Sequence, residues 1–202
     1  MKSGAGSPRP RGRPRSFDTD TALSAAAERF RRGGFAATSL DDLSDATGLN
    51  RPSLYAAFGD KRALYLAALD RTTARAAQGF DMIAEAKLPP AKMLKLLFRA
   101  VIDGFLTGDT GPAGCIAINT AATAAVEDPL VRERLAKFVA LEDERIEALL
   151  AAGGDPAAAA HAPIVAAVVH SLSVRARAGA DRAALDRLAA DCIALVAPTA
   201  NE

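Results

Sequence analysis

Tryptophan is absent from the 202 residues, and tyrosine, cysteine and histidine occur twice each. Each shortage removes a class of protein. Cys115 and Cys192 stand far apart, with no His or Cys neighbour at metal-ligand spacing, so no disulfide and no metal site is expected and both read as reduced, buried thiols. A redox-sensing Cys115 is the alternative. His161 and His170 are single histidines suited to packing or surface roles. No apolar run reaches the ~20 uninterrupted residues that span a bilayer, so no membrane association is expected. Pro and Arg fill the N-terminus where a secretory leader would carry an apolar stretch, and a cytoplasmic location is the expectation. The chain lacks a Gly-x-Ser-x-Gly elbow, a Gly-Lys phosphate loop, paired histidines on a helix face and any Cys-His constellation, so neither catalysis nor a cofactor is expected.

Alanine is what the chain has in excess. Half of the residues are hydrophobic and only 5% aromatic, a balance that favours helix over sheet, so the expected class is all-α, in one or two domains. The net charge of +1 hides an asymmetry: residues 1–62 carry eleven Lys or Arg against seven Asp or Glu, the remainder fourteen against seventeen.

Residues 38–62 organise the rest. Thr38 has Asp41 three residues on, a capping-box spacing, and Leu40, Leu43 and Ala46 then share one side of a short helix. Gly48 suits the left-handed residue that ends it. Asn50 caps a second helix that tolerates Pro52 in its first turn and buries Leu54, Ala57 and Phe58, leaving Arg51 and Tyr55 pointing elsewhere. Two helices joined by a short glycine turn form a helix-turn-helix, whose second helix enters the major groove of DNA. A preceding helix from Asp18 to Arg32, with Leu23, Ala26, Ala27 and Phe30 on one stripe and a stop at Gly33-Gly34, props this unit from behind, and Phe35 folds back on the stripe.

Phe17-Asp18, Phe30, Gly34-Phe35, Thr38-Ser39, Ala46-Thr47-Gly48, Ser53-Leu54-Tyr55, Phe58 and Asp60-Lys61, in this order, resemble the DNA-binding domain of TetR-family transcriptional repressors. The resemblance implies DNA-backbone contacts for Thr38, Tyr55 and Lys61, and a homodimer joined by a four-helix interface. Where the family often places His, Tyr or Arg after that tyrosine, this chain has Ala56 and Ala57, so base reading rests on Arg51 and Ser53, with Asn50 and Pro52 at the helix start. Lys61, in the first turn of the next helix, opposes the helix dipole, which a nearby phosphate would explain. Residues 1–16 hold five cations, no acid and three prolines, and read as a disordered basic arm in which Arg11, Arg13 and Arg15 follow the minor groove.

The expected organisation is therefore an arm over 1–16, a three-helix DNA-binding domain over 17–62, and a helical ligand-binding and dimerisation domain over 63–202 entered by a long helix from Lys61 to Ala86. Further helices are expected to Leu106, over 113–125, from Pro129 to Ala152, over 156–178 and over 181–196. The last two carry more apolar residues than one buried face needs, Val168 and Leu185 among them, and are the expected dimer face. Gly114-Cys115-Ile116, Asn119 and the 173–179 stretch resemble one TetR subgroup's regulatory domain. Phe98, Ile102, Phe105, Cys115, Asn119 and Thr123 are the expected lining of a pocket for a small-molecule effector of unknown identity. The reading is a ligand-responsive repressor on a palindromic double-stranded operator; the alternative is a basic helical bundle that binds a protein.

Overall fold

Asp18 opens the first helix by accepting the Asp20 N–H at 2.9 Å, and from there the chain is helix after helix. The computed structural model describes residues 17–108 and 111–197. Its elements are α1 (Thr19–Ala37), α2 (Leu40–Thr47), α3 (Arg51–Phe58), α4 (Lys61–Glu85), α5 (Pro90–Leu106), a π-helical turn (Ala117–Ala121), α6 (Ala122–Ala124), α7 (Pro129–Ala152), α8 (Ala158–Arg177) and α9 (Arg182–Val196), with no strand among the described residues. Asp18, Asn50, Asp60, Asp128 and Asp181 cap α1, α3, α4, α7 and α9, satisfying N–H groups that have no partner within the helix.

Three local expectations change. Gly33-Gly34 kinks α1 instead of ending it: Gly34 sits at φ 73, a conformation that favours glycine, and the chain regains helical geometry over 35–37. That kink frees the Gly34 carbonyl, and the Thr38 hydroxyl turns inward to donate to it at 2.7 Å. Thr38 is fully buried and cannot cap, so the cap of α2 moves one residue on. Ser39 Oγ accepts the Asp42 N–H at 3.1 Å and the Asp42 carboxylate accepts the Ser39 N–H at 2.8 Å, completing a capping box that Arg29 reinforces with an ion pair at 2.8 Å. Finally, 113–125 is no single α-helix. Residues 112–115 are irregular loop, followed by the π-helical turn and the short α6. Gly114, at φ 65, packs so closely on Ser173 that an added Cβ would lie 2.6 Å from its carbonyl oxygen.

Two apolar clusters hold the molecule. One joins α5, α7, α8 and α9 around Phe98, Ile102, Ile146, Leu172 and Leu185. The other runs straight across residue 62, from Phe30, Leu43 and Leu54 through Leu64, Tyr65 and Leu69 to Ile116, Ala121, Val131 and Phe138. Leu43 and Leu54 are the buried residues of α2 and α3; Ala46 and Ala57, expected beside them, face outward.

Tyr65 is the middle of the second cluster. Its ring meets Phe30 edge-on with centroids 5.0 Å apart and Phe35 at 5.1 Å, and its hydroxyl lies 2.7 Å from Thr120 Oγ1 in the π-helical turn. Thr120 spends its one hydroxyl proton on the Ile116 carbonyl at 2.7 Å, so the phenol is the donor to Thr120. Nearer the start of α4, Arg62 grips Asp128 at 2.5 and 2.7 Å, tying the N-termini of α4 and α7 together.

Removing the phenol hydroxyl leaves no orphaned donor, whereas removing its acceptor does. Tyr65→Phe is expected to lower the unfolding free energy by about 0.5–1.5 kcal/mol and Thr120→Val by more, about 1–3 kcal/mol. Urea denaturation of both variants checks the ranking. The Arg62 guanidinium, with the first N–H groups of α7, holds the Asp128 carboxyl down at about 2 from an ordinary 3.8. A lowered pKa stabilises the fold above the unfolded value and is lost on acidification. The stability difference between the protein and Asp128→Asn should therefore be full at pH 5 and shrink as pH falls from about 4 to about 2, as paired urea midpoints would register.

Candidate nucleic-acid interface and regulatory cavity

The helix-turn-helix presents α3 outward. Leu54 and Phe58 hold it against the core, Gly48 turns the chain at φ 67, and Asn50 Oδ1 accepts the Ser53 N–H at 2.9 Å. Arg51, Pro52, Tyr55, Ala56 and Ala57 are exposed and Ser53 is half-buried. Tyr55 keeps 48% of its surface free, a large exposure for an aromatic residue.

Two residues expected at a DNA backbone stand differently. Thr38 has no free surface and its hydroxyl is occupied, so the exposed hydroxyl at the start of α2 belongs to Ser39. Lys61 Nζ lies 4.5 Å from the centroid of the Phe35 ring, and this cation–π contact gives its position in the first turn of α4 a local rationale that needs no phosphate. Arg51 is already engaged as well: its Nε and Nη2 meet both oxygens of Asp41 on α2 at 2.6–3.0 Å. Arg11, Arg13 and Arg15 lie outside the described residues.

The expected pocket does not form as one space. Phe98 and Ile102 turn to a groove between α5 and α9. Asn119 and Thr123 line a cleft of about 730 Å³ between the 33–37 segment of α1 and the start of α7. Only Phe105 and Cys115 reach the central cavity, of about 540 Å³, which is lined by α1, α4, α5, the π-helical turn, α7 and α8 and is partly open to solvent. Burial pushes the Cys115 thiol up to about 11, which keeps it protonated at neutral pH and makes it a poor nucleophile and redox centre. Its N–H donates to Ser173 Oγ at 2.8 Å, and the buried Cys192 is likewise shifted upward by burial.

Three features of this region lie outside the expected site residues. In the cavity wall, Glu142 is buried on α7 with its carboxyl raised by burial, a shift that its 2.6 Å contact with His170 Nε2 of α8 partly offsets. The sequence carried a signal for Glu142: it occupies a position in the stripe Phe138, Glu142, Ile146, Leu149 where every other member is apolar. Nothing local marks His170 as its partner 28 residues away. The other two are arginines joining α1 to the cavity wall. Arg31 of α1 donates to the carbonyls of Thr107 at 2.6 Å and Gly114 at 3.0 Å, and Arg177 at the end of α8 donates to those of Arg31 and Arg32 at 2.7 and 2.8 Å. Carbonyl acceptors leave no trace in side-chain patterns.

Residues 22–68 match the sequence pattern of bacterial regulatory proteins of the tetR family. Over 194 residues the chain is 33% identical to the HTH-type transcriptional repressor ComR of Escherichia coli (strain K12), covering 92% of this chain and 91% of that one. It is 29% identical over 168 residues to the repressor BdcR of the same organism, covering 83% of each. Among solved structures it resembles the TetR family transcriptional regulator CifR, a cysteine mutant complexed with 26bp double-strand operator DNA, at 30% identity and a TM-score of 0.72 over 90% of this chain and 98% of that one. A regulator from Legionella pneumophila shares the fold at a TM-score of 0.79 and 18% identity, over 91% of this chain and all of that one. With the outward recognition helix already in place on its aromatic support, these likenesses establish that the chain belongs to the TetR family of DNA-binding transcriptional repressors.

Proposed function

We propose that the protein represses transcription as a homodimer on a palindromic operator and is released by a small-molecule effector in the central cavity. The observation that carries the DNA part is α3, held by Leu54 and Phe58 with Arg51, Ser53 and Tyr55 turned outward, together with the likeness to a regulator complexed with operator DNA. Arg51 is the base reader, on a guanine edge. Tyr55, Lys61, Ser39 and the arm residues Arg11, Arg13 and Arg15 hold the phosphate backbone, and the N-terminal ends of α2 and α3 face the duplex. With Pro52, Ala56 and Ala57 as the remaining exposed side chains of the helix, thymine methyl contact and DNA shape supply the rest of the readout.

Two-fold operators call for two-fold proteins, and α8 and α9 supply the face. Ile164 at 50% exposure, Val174 at 53% and Leu195 at 78% are large apolar residues that the protomer leaves at least half uncovered. α8 is long and apolar enough to meet the length and composition of a membrane-crossing helix, yet only 39% of its apolar window is buried inside the protomer. A second copy of the same face accounts for this excess. Leu185, expected on that face, points into the protomer core with no exposure, so Ile164 and Leu195 take its place in the argument.

The effector acts through α4. Its 25 residues span roughly 37 Å at 1.5 Å each, from Lys61 beside the helix-turn-helix to the side of the cavity and beyond. A ligand that prefers one tilt of α4 alters the spacing of the two recognition helices, and the dimer then misses half-sites set by whole turns of DNA. The coupling is reciprocal, so calorimetry with and without operator should give effector affinities that differ by the factor by which effector weakens operator binding. Equal affinities would disprove the release mechanism.

On DNA, loss of residues 1–15 should reduce affinity and flatten the dependence of log affinity on log salt by about 0.9 for each phosphate contact removed. Tyr55→Phe and Lys61→Ala should weaken all duplexes alike, while Arg51→Ala should relax preference at one base pair at a cost of about 1–3 kcal/mol; fluorescence anisotropy on a set of single-substituted operators separates the two patterns. For assembly, Ile164→Glu with Leu195→Glu should give a folded monomer by sedimentation, while Leu185→Glu should unfold the protomer. A monomeric unmodified protein at micromolar concentration would refute the dimer.

A further inference from the structure

The α4 wall of the central cavity contains an arginine with unfinished hydrogen bonding. Arg71 and Arg75 stand one turn apart on α4 and both line the cavity. The terminal nitrogens of Arg71 pair with Asp20 of α1, but its Nε–H is buried and meets no acceptor. Arg75 has no ion pair or hydrogen bond among the described residues. Native interiors rarely leave a buried donor unmet, because removing it from water without a replacement partner is costly, so an unmet donor on a cavity wall marks where an acceptor belongs.

The other charged groups of the cavity are spoken for. Glu28 is held by Arg31 at 2.7 Å and by Arg32 at 2.8 Å, and Arg31 also donates to the Thr107 and Gly114 carbonyls. Glu142 is engaged by His170 at 2.6 Å, and burial favours its neutral form, which reduces its repulsion of an anion. The Cys115 thiol is protonated at neutral pH. Apart from Ser24, Thr72 and Thr107, the remaining walls are apolar, with Val101, Phe105, Ile116, Ile118, Phe138 and Val169 among them. A volume of about 540 Å³ lies within the range of small-molecule sites.

We propose that this cavity binds a compact organic carboxylate, its apolar body between Phe105, Ile116 and Phe138 and its carboxylate on Arg71 Nε and the Arg75 guanidinium. The inference deepens the reading that the cavity is the effector site, because it gives that effector a chemical class and seats its charge on α4. A planar guanidinium edge matches carboxylate geometry, and the apolar walls exclude a hydrated inorganic anion.

Calorimetry on the full chain with benzoate, hexanoate and octanoate, each beside its neutral primary amide, tests the assignment. At least one acid should bind, with its amide at least about tenfold weaker, as loss of a charge-assisted hydrogen bond implies. Arg75→Gln removes an exposed side chain without a partner, and Arg71→Lys keeps a cation for Asp20 while deleting the Nε–H; each should weaken the acid about 10- to 100-fold and leave the amide unchanged. Binding by none of the acids, equal affinity for acid and amide, or acid affinity unchanged in both variants would overturn the proposal. A parallel operator titration separates it from the reading beneath: an acid that binds without loosening operator DNA removes the release mechanism and leaves the carboxylate site standing. Operator release by the amides alone does the reverse.

Discussion

Burial of one tyrosine side chain on α4 is the constraint on which the rest of the molecule depends. Tyr65 has no exposed surface, and its ring closes the space between Phe30 and Phe35 of α1, while its hydroxyl reaches the π-helical turn at Thr120. The two helices of the helix-turn-helix are too short to enclose a core of their own, since α2 and α3 have eight residues each and bury one residue each. They borrow the core of the C-terminal helices through α4. Arg62 with Asp128, Arg31 with the 107–114 carbonyls and Arg177 with the end of α1 add polar ties around the same seam. Such a seam resists relative motion of its two sides.

The legible part of the sequence is the part governed by local rules. Helix caps, apolar spacing and glycine turns act within a few residues, and they located Asn50, Gly48, Leu43, Leu54 and Phe58, as well as α4 and α7 nearly to the residue. The misplacement of Thr38 has a local cause of a different kind. Two hydroxyl residues in succession both fit a capping box, with Asp41 and Asp42 each available, and only the Gly34 kink decides that Thr38 turns inward and Ser39 caps. A sequence pattern does not reveal a backbone carbonyl left over by a kink one turn earlier.

The cavity shows a deeper limit. Phe98, Ile102 and Phe105 lie on one nominal stripe of α5 and Cys115, Asn119 and Thr123 on another nominal helix, yet they open onto three separate spaces. The second stripe fails because the chain is non-helical through Cys115 and then wound as a π-helical turn, which shifts the register of everything after it. The first fails because helices α4 and α9 pack on opposite sides of α5. The polar contacts Glu142–His170, Arg62–Asp128 and Arg31 to the 107–114 carbonyls join residues tens of positions apart, and only the assembled fold brings them together.

The pairing of Arg51 with Asp41 changes how ions are counted when DNA binds. A free arginine that takes a phosphate or a base displaces a cation from the duplex, and the release favours binding in dilute salt. Arg51 begins with a carboxylate on its Nε and Nη2, so engaging DNA through those nitrogens strips Asp41 of its partner and leaves an exposed anion beside a polyanion. Asp41 then draws a cation back from solution, offsetting the one that Arg51 sets free. On the proposed role of Arg51 as base reader, the contacts at the α2–α3 surface would therefore outnumber those inferred from a salt titration, and the affinity contributed by this arginine would persist at ionic strengths that strip away the unpaired cations.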